Sequence, residues 1–275
     1  MSENLMRRFE QERDDGAVGR GAAAYYLSLG DSLSTGVQPT GLESWQFRTD
    51  EGYADQLAEL ARQRLPGLQV VKLGYPGEST KTMIDGSLGE YAHGSQLGEA
   101  VAFLNEHRGS VAFVTIDIGF NDVPTRDLDG LAQGMLSVSR NLPRILRELR
   151  EAAGPTIPIV GMTIYDPLLA SWLEGPAGQE LARLSVFGAV LPMNAHLVNI
   201  YRAAGMAVAD VEGDFSTADF DTLVSIEGVG SVPLNVARIL GWTWAGTPPP
   251  LGPDSHANAL GYRAIAAAFE RVLFA

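Results

Sequence analysis

From residue 22 onward, short apolar runs alternate with longer segments of helical period, and this alternation constrains the fold more than any other feature of the chain. The runs Tyr25 to Leu29, Gln69 to Leu73, Val111 to Ile118, Ile157 to Ile164 and Ala207 to Val211 read as strands. Helical patterns cover Gly52 to Arg64, Ser95 to His107, Leu128 to Ala152, Gly178 to Ala204 and Asn258 to Leu273. A chain that repeats strand and then helix forms a mainly parallel sheet, because right-handed crossovers lay the helices over both faces. The expected architecture is a three-layer α/β/α sandwich around a mainly parallel five-stranded sheet.

Pro143 and Pro192 lie deep in two of the helical patterns, where each removes an internal hydrogen bond, so a kink or break is expected at both. Tyr165 to Pro176 and Asp219 to Pro253 have no clean period and are rich in Gly, Pro and Trp, as binding loops often are. No change of composition divides the 275 residues, so residues 22–275 read as one domain. Residues 1–21 carry alternating charges and read as an extension, helical or disordered. They lack the apolar core of a signal peptide, and no eighteen apolar residues run together anywhere. The expected location is the cytoplasm, with secretion still open if the start is processed, and no integral membrane segment is expected.

The net charge of −13 disfavours nucleic acid and anionic bilayers as partners, since such a surface repels phosphate. Absence of cysteine removes disulfides, thiolate catalysis and Cys-based metal sites. His93, His107 and His196 fit no metal-ligand spacing and read as structural or surface residues. Phosphate-binding glycine loops are absent, so nucleotide binding has no support in the sequence. No cofactor and no metal are expected.

Four segments carry chemistry. Gly30-Asp31-Ser32-Leu33-Ser34 follows the first strand at its C-terminal end, where open α/β sheets place ligands. It is not the Gly-x-Ser-x-Gly elbow of α/β-hydrolases, because position 34 is Ser. Asp254-Ser255-His256 precedes the last helix and offers a base with a carboxylate partner, although a helix-capping loop gives the same string. Gly77 and Asn121, each following a strand, can supply an amide and a side-chain donor for an oxyanion, or serve as turn residues. Asp117 and Asp122 flank the Gly119-Phe120-Asn121 turn and read as a satisfied strand-end carboxylate and a cap for the following segment. Trp242 and Trp244 stand shortly before Asp254 and are candidate walls of a substrate pocket, aided by Trp45, Phe47, Trp172 and Leu173.

Together these blocks resemble the SGNH hydrolases, also called the GDSL esterase/lipase family, in order and separation over roughly residues 24 to 273. The resemblance implies a flavodoxin-like fold, Ser32 as nucleophile, His256 as base and Asp254 as its partner. It further implies an oxyanion hole made by the Ser32 and Gly77 amides and the Asn121 side chain. Lys72 stands where the family's second block often begins with Asn, a departure that touches packing under the site. The expected activity is that of a serine esterase acting on small to medium carboxylic esters, with a small-molecule ester as partner. Alternatives that use the same site are carbohydrate O-acetylesterase and acyltransferase activity, and a non-catalytic glycan or lipid binder is the remote one.

Overall fold

The computed structural model of the chain describes residues 24–40, 45–46, 48–123 and 128–275. The expected N-terminal extension and Phe47 lie outside these residues. Strands β1 (Tyr25–Gly30), β2 (Gln69–Lys72), β3 (Val111–Asp117), β4 (Ile159–Met162) and β5 (Ala207–Ala209) form one sheet in the order β2-β1-β3-β4-β5, with every pair parallel. This is the flavodoxin-like order, in which the chain leaves β1 toward one edge and β3 toward the other. The crevice at their C-terminal ends is where such sheets bind ligands.

The three inner strands β1, β3 and β4 are buried on both faces while the edge strands are only partly covered, and alternate side chains enter two separate cores. Tyr26 and Phe113 point to one core, where they meet helices α2 (Tyr53–Arg62), α8 (Leu234–Trp242) and α9 (Ala259–Phe274). Leu27, Leu29, Val114 and Ile116 point to the other, against α4 (Gln96–Glu106), α5 (Leu128–Ala153) and α7 (Leu191–Ala203). Along α5 the fully buried Val138, Leu142, Ile145, Leu146 and Leu149 recur at helical spacing, which fixes the face laid on the sheet. Truncating one of them to Ala removes packing worth about 2–5 kcal/mol.

Neither proline ends its helix. Helix α5 runs through Pro143 without the break that was one of the two outcomes expected there. The strong amphipathic stripe on either side of Pro143 holds the helix to the sheet despite the missing hydrogen bond. Nor does the chain break at Pro192: α6 (Pro176–Ser185) runs through a π-helical turn, Val186–Val190, directly into α7, and the irregularity expected there takes the form of this π-turn, in which the Leu191 amide reaches Val186 O. The run Pro176–Ala203 is long and apolar enough to cross a membrane by length and composition alone. It contributes Met193, Leu197 and Tyr201 to the core beside the sheet.

Structure also fills the segments read as irregular. Tyr165 to Pro176 contains a 3-10 helix, Pro167–Glu174, started by Asp166 accepting from the Leu168 amide at 3.0 Å. Asp219 to Pro253 contains an antiparallel hairpin, Leu223–Ile226 with Gly230–Pro233, followed by α8. A further short helix, α3 (Thr80–Asp85), begins with a capping box between Ser79 and Thr82.

Candidate active site

β1 delivers Ser32 to the crevice. Gly30 has φ 130°, and a Cβ there would lie 2.2 Å from Asp117 Oδ1, so only glycine allows β1 and β3 to approach so closely. Asp31 then caps the short helix α1 (Ser32–Thr35) by accepting from the Leu33 amide at 3.0 Å. Ser32 opens that helix, with Oγ 3.5 Å from Asp31 Oδ1. Ser34 Oγ donates to Asp31 O at 2.7 Å and locks the turn.

Gly77 comes from the turn after β2. The Glu78 amide donates to Tyr75 O at 3.1 Å, Pro76 is second, and Gly77 third with φ 83°, the pattern of a type II turn. Lys72 at the end of β2 pairs with Asp55 at 2.9 Å and donates to Thr49 O, which places the departure from the family pattern in packing beside the sheet edge. Asn121 comes from the 3-10 turn Phe120–Asp122 after β3. Its Nδ2 donates to Asp31 Oδ2 at 3.0 Å and to Glu78 O at 3.1 Å, tying all three loops together. Gln96 adds a further clasp, accepting from Gly30 N at 2.7 Å and donating to Gly30 O and Glu78 Oε2.

His256 arrives on the loop before α9. Asp254 Oδ1 accepts from His256 Nδ1 at 2.7 Å and from the His256 amide at 2.8 Å. With Nδ1 protonated, Nε2 keeps the lone pair that a base needs. The loop is clamped by Tyr165 OH donating to Ser255 O at 2.8 Å, and by main-chain bonds between Trp244 and both His256 and Asp254. Capping of α9 falls to Asn258, which accepts from the Leu260 and Gly261 amides and leaves Asp254 to the imidazole.

Ser32, Gly77, Asn121 and His256 line one cavity of about 400 Å³. Its walls are otherwise mainly apolar, and Leu33, Val37, Phe120, Met162, Ile164 and Tyr165 supply much of them. Burial pushes the pKa of the Asp31 and Glu78 carboxyls up from the ordinary carboxylate range, toward the neutral form, while His256 partly offsets the effect on Asp31.

Trp242 and Trp244 do not line this cavity, which corrects the expectation for them. The Trp242 ring packs edge-on to Phe215, 5.2 Å between centroids, and Trp244 Nε1 donates to Gln38 at 2.7 Å. Their backbones, rather than their indoles, serve the site by holding the His256 loop. Trp172 likewise packs against Phe220. Asp122 reaches back to the start of α3, accepting from the Thr80 amide and hydroxyl, and to Ser137, so it braces earlier and later helices rather than capping the following segment. His93 pairs with Glu99, His107 stacks on Phe103, and His196 meets Ser139, all away from the cavity.

Sequence reasoning missed Tyr165 and Gln96 as supports of the site. The Asp31 cap was open to it, since Asp before a short helix is a capping signal, whereas no local pattern marks a glutamine 66 residues from its partner.

Comparison with known proteins agrees with the fold. The acetylxylan esterase Axe2 from Geobacillus stearothermophilus superposes with a TM-score of 0.55 at 16% identity, over 93% of this chain and 95% of that one. An extracellular lipase from Streptomyces rimosus gives 0.56 at 17% identity, over 90% and 99%. Phospholipase A1 from Streptomyces albidoflavus NA297 gives 0.50 at 18%, over 91% and 99%. At these identities the likeness is one of fold. No curated protein sequence matches the chain. The model of the GDSL-like Lipase/Acylhydrolase family matches residues 28–264, and the chain therefore belongs to that family of carboxylic ester hydrolases.

Proposed function

We propose that the protein is a serine esterase hydrolysing small to medium carboxylic esters through an acyl-enzyme on Ser32. The observation that carries this reading is one apolar cavity of about 400 Å³ onto which Ser32 and the Asp254-oriented His256 both open. In the first step His256 Nε2 takes the Ser32 proton as Oγ bonds to the acyl carbon. The tetrahedral intermediate collapses when the alkoxide leaves with that proton. Water, deprotonated by His256, then attacks the acyl carbon, and Ser32 regains its proton as the acid departs.

The oxyanion needs fixed donors. Among the described residues the Ser32 and Gly77 amides donate to no other group, so both are available. Both Asn121 Nδ2 protons are engaged, with Asp31 and Glu78, so Asn121 joins the hole by turning one of them to the oxyanion.

Hydrolysis of p-nitrophenyl acetate, butyrate, octanoate and palmitate, compared with Ser32→Ala, tests the reading. An acetyl group leaves most of the cavity unfilled, so butyrate and octanoate are expected to exceed acetate, and Ser32→Ala to be inactive on all. Preference for acetate together with release of acetate from acetylated sugars would favour a carbohydrate O-acetylesterase. Turnover by Ser32→Ala equal to wild type would remove Ser32 from the chemistry.

A further inference from the structure

Behind Ser32 lies a carboxyl group that acyl transfer through Ser32 and His256 leaves unused. Asp117 ends β3, stands in register with Gly30 and is 1% exposed. Its Oδ1 accepts from Tyr53 OH at 2.8 Å. The Asp31 amide donates to Asp117 O at 3.2 Å and faces Asp117 Oδ2 at 3.4 Å. Asp31 is itself 4% exposed and its own amide meets the Asp117 carboxyl, so two acids share one buried space.

The titratable groups around the pair are Tyr26, Tyr53, Tyr165, Tyr201, Tyr262, Glu78 and His256. Among the described residues no lysine or arginine pairs with either carboxyl. Two negative charges in such a space repel with no lysine or arginine held against either, which favours a single proton kept by the pair. Burial and the Asp31 charge together push the Asp117 carboxyl well above its ordinary range. Asp31 is the natural holder of the charge, since its oxygens already accept from the Leu33 amide and from Asn121.

We propose that Asp117 is a positioning residue: as a neutral acid it hydrogen-bonds the Asp31 carboxylate, so that Asp31, carrying the pair's one negative charge, holds the Ser32 turn with one oxygen and Asn121 with the other. The proposal rests on the roles given above to Ser32 and Asn121. When Asn121 turns one N–H to the oxyanion, Asp31 Oδ2 loses a donor, and the Asp117 proton keeps that carboxylate satisfied. A second ionised carboxylate at this place would instead oppose the developing oxyanion.

The test compares Asp117→Ala and Asp117→Asn with wild type, by turnover of p-nitrophenyl butyrate and by infrared spectra at pH 8. Alanine is expected to lower kcat about tenfold or more with KM held within about twofold. Asparagine, neutral and able to donate to Asp31, is expected to rescue kcat to within about threefold of wild type. The infrared spectrum of wild type is expected to carry a protonated-carboxyl C=O band that Asp117→Asn lacks. A loss in the asparagine variant as deep as in alanine, or spectra that do not differ in that band, would overturn the proposal. The spectra need no turnover, so an inactive wild type would count against the esterase reading and still leave the Asp117 question answered. Should the alanine variant fail to fold, the asparagine variant and the spectra decide.

Discussion

A single oxygen of Asp254, Oδ1, accepts both from the backbone amide of His256 at 2.8 Å and from its ring Nδ1 at 2.7 Å. One contact therefore fixes the loop conformation and the other the tautomer, and both depend on a carboxylate. Asp254→Asn can present an N–H to Nδ1 and so invert the tautomer. It is expected to lower kcat by about 10⁴ with little change in KM, as the equivalent change does in a Ser-His-Asp triad. Steady-state kinetics on p-nitrophenyl butyrate check this, and a loss below tenfold would separate Asp254 from the chemistry.

Asn121 bridges Asp31 and Glu78 and stands beside the space where an oxyanion forms. Asn121→Ala removes a donor used in the transition state, so kcat is expected to fall by about 10² to 10³. KM should change little. Stopped assays at saturating substrate measure the fall, and unchanged kcat would take Asn121 out of the hole.

Gly30 is held at φ 130° with Asp117 where its side chain would be. Gly30→Ala must push β1 from β3 and is expected to cost about 2 kcal/mol or more, with activity falling alongside. Urea denaturation of the variant and wild type measures the difference. Equal midpoints would mean that the two strand ends yield freely.

The raised Asp117 carboxyl also predicts a pH dependence of stability. In the unfolded chain this group loses its proton near the ordinary value of about 3.9, whereas in the fold it keeps the proton to higher pH. The folded state thus binds more protons between the two values, so this group's contribution to stability falls as pH rises through that window and stays low above it. Asp117→Asn carries no such penalty. Its stability relative to wild type is expected to be higher at pH 8 than at pH 4, as read from denaturant midpoints at the two pH values. A constant difference would contradict the assignment of the proton.

Much of this was legible in the chain itself. All five sheet strands lie within or one residue beyond the apolar runs, and α2, α4, α5 and α9 follow their periodic segments, because buried strands and amphipathic helices leave strong periodic traces. The hairpin and α8 were hidden, since strands of four residues and a nine-residue helix are too short to show a period among Gly and Pro. Ser32, Gly77, Asn121, Asp254 and His256 stood out because their chemistry comes with local turn signals. Asp117 was read as a satisfied strand end, and only the register of β1 against β3 brings it beside Asp31. Trp242 and Trp244 were misplaced for a similar reason: aromatic content marks burial, and the direction each indole takes depends on Phe215 and Gln38, far away in sequence.

The most direct test of the central claim is to quench the enzyme during turnover of a p-nitrophenyl ester in acid, digest it and locate the acyl group by mass spectrometry. The account predicts one acyl group per chain on the peptide carrying Ser32, absent from Ser32→Ala and accumulated further in any variant slowed in deacylation. Turnover with the acyl group on another residue, or with no covalent acyl-enzyme at any quench time, would contradict it.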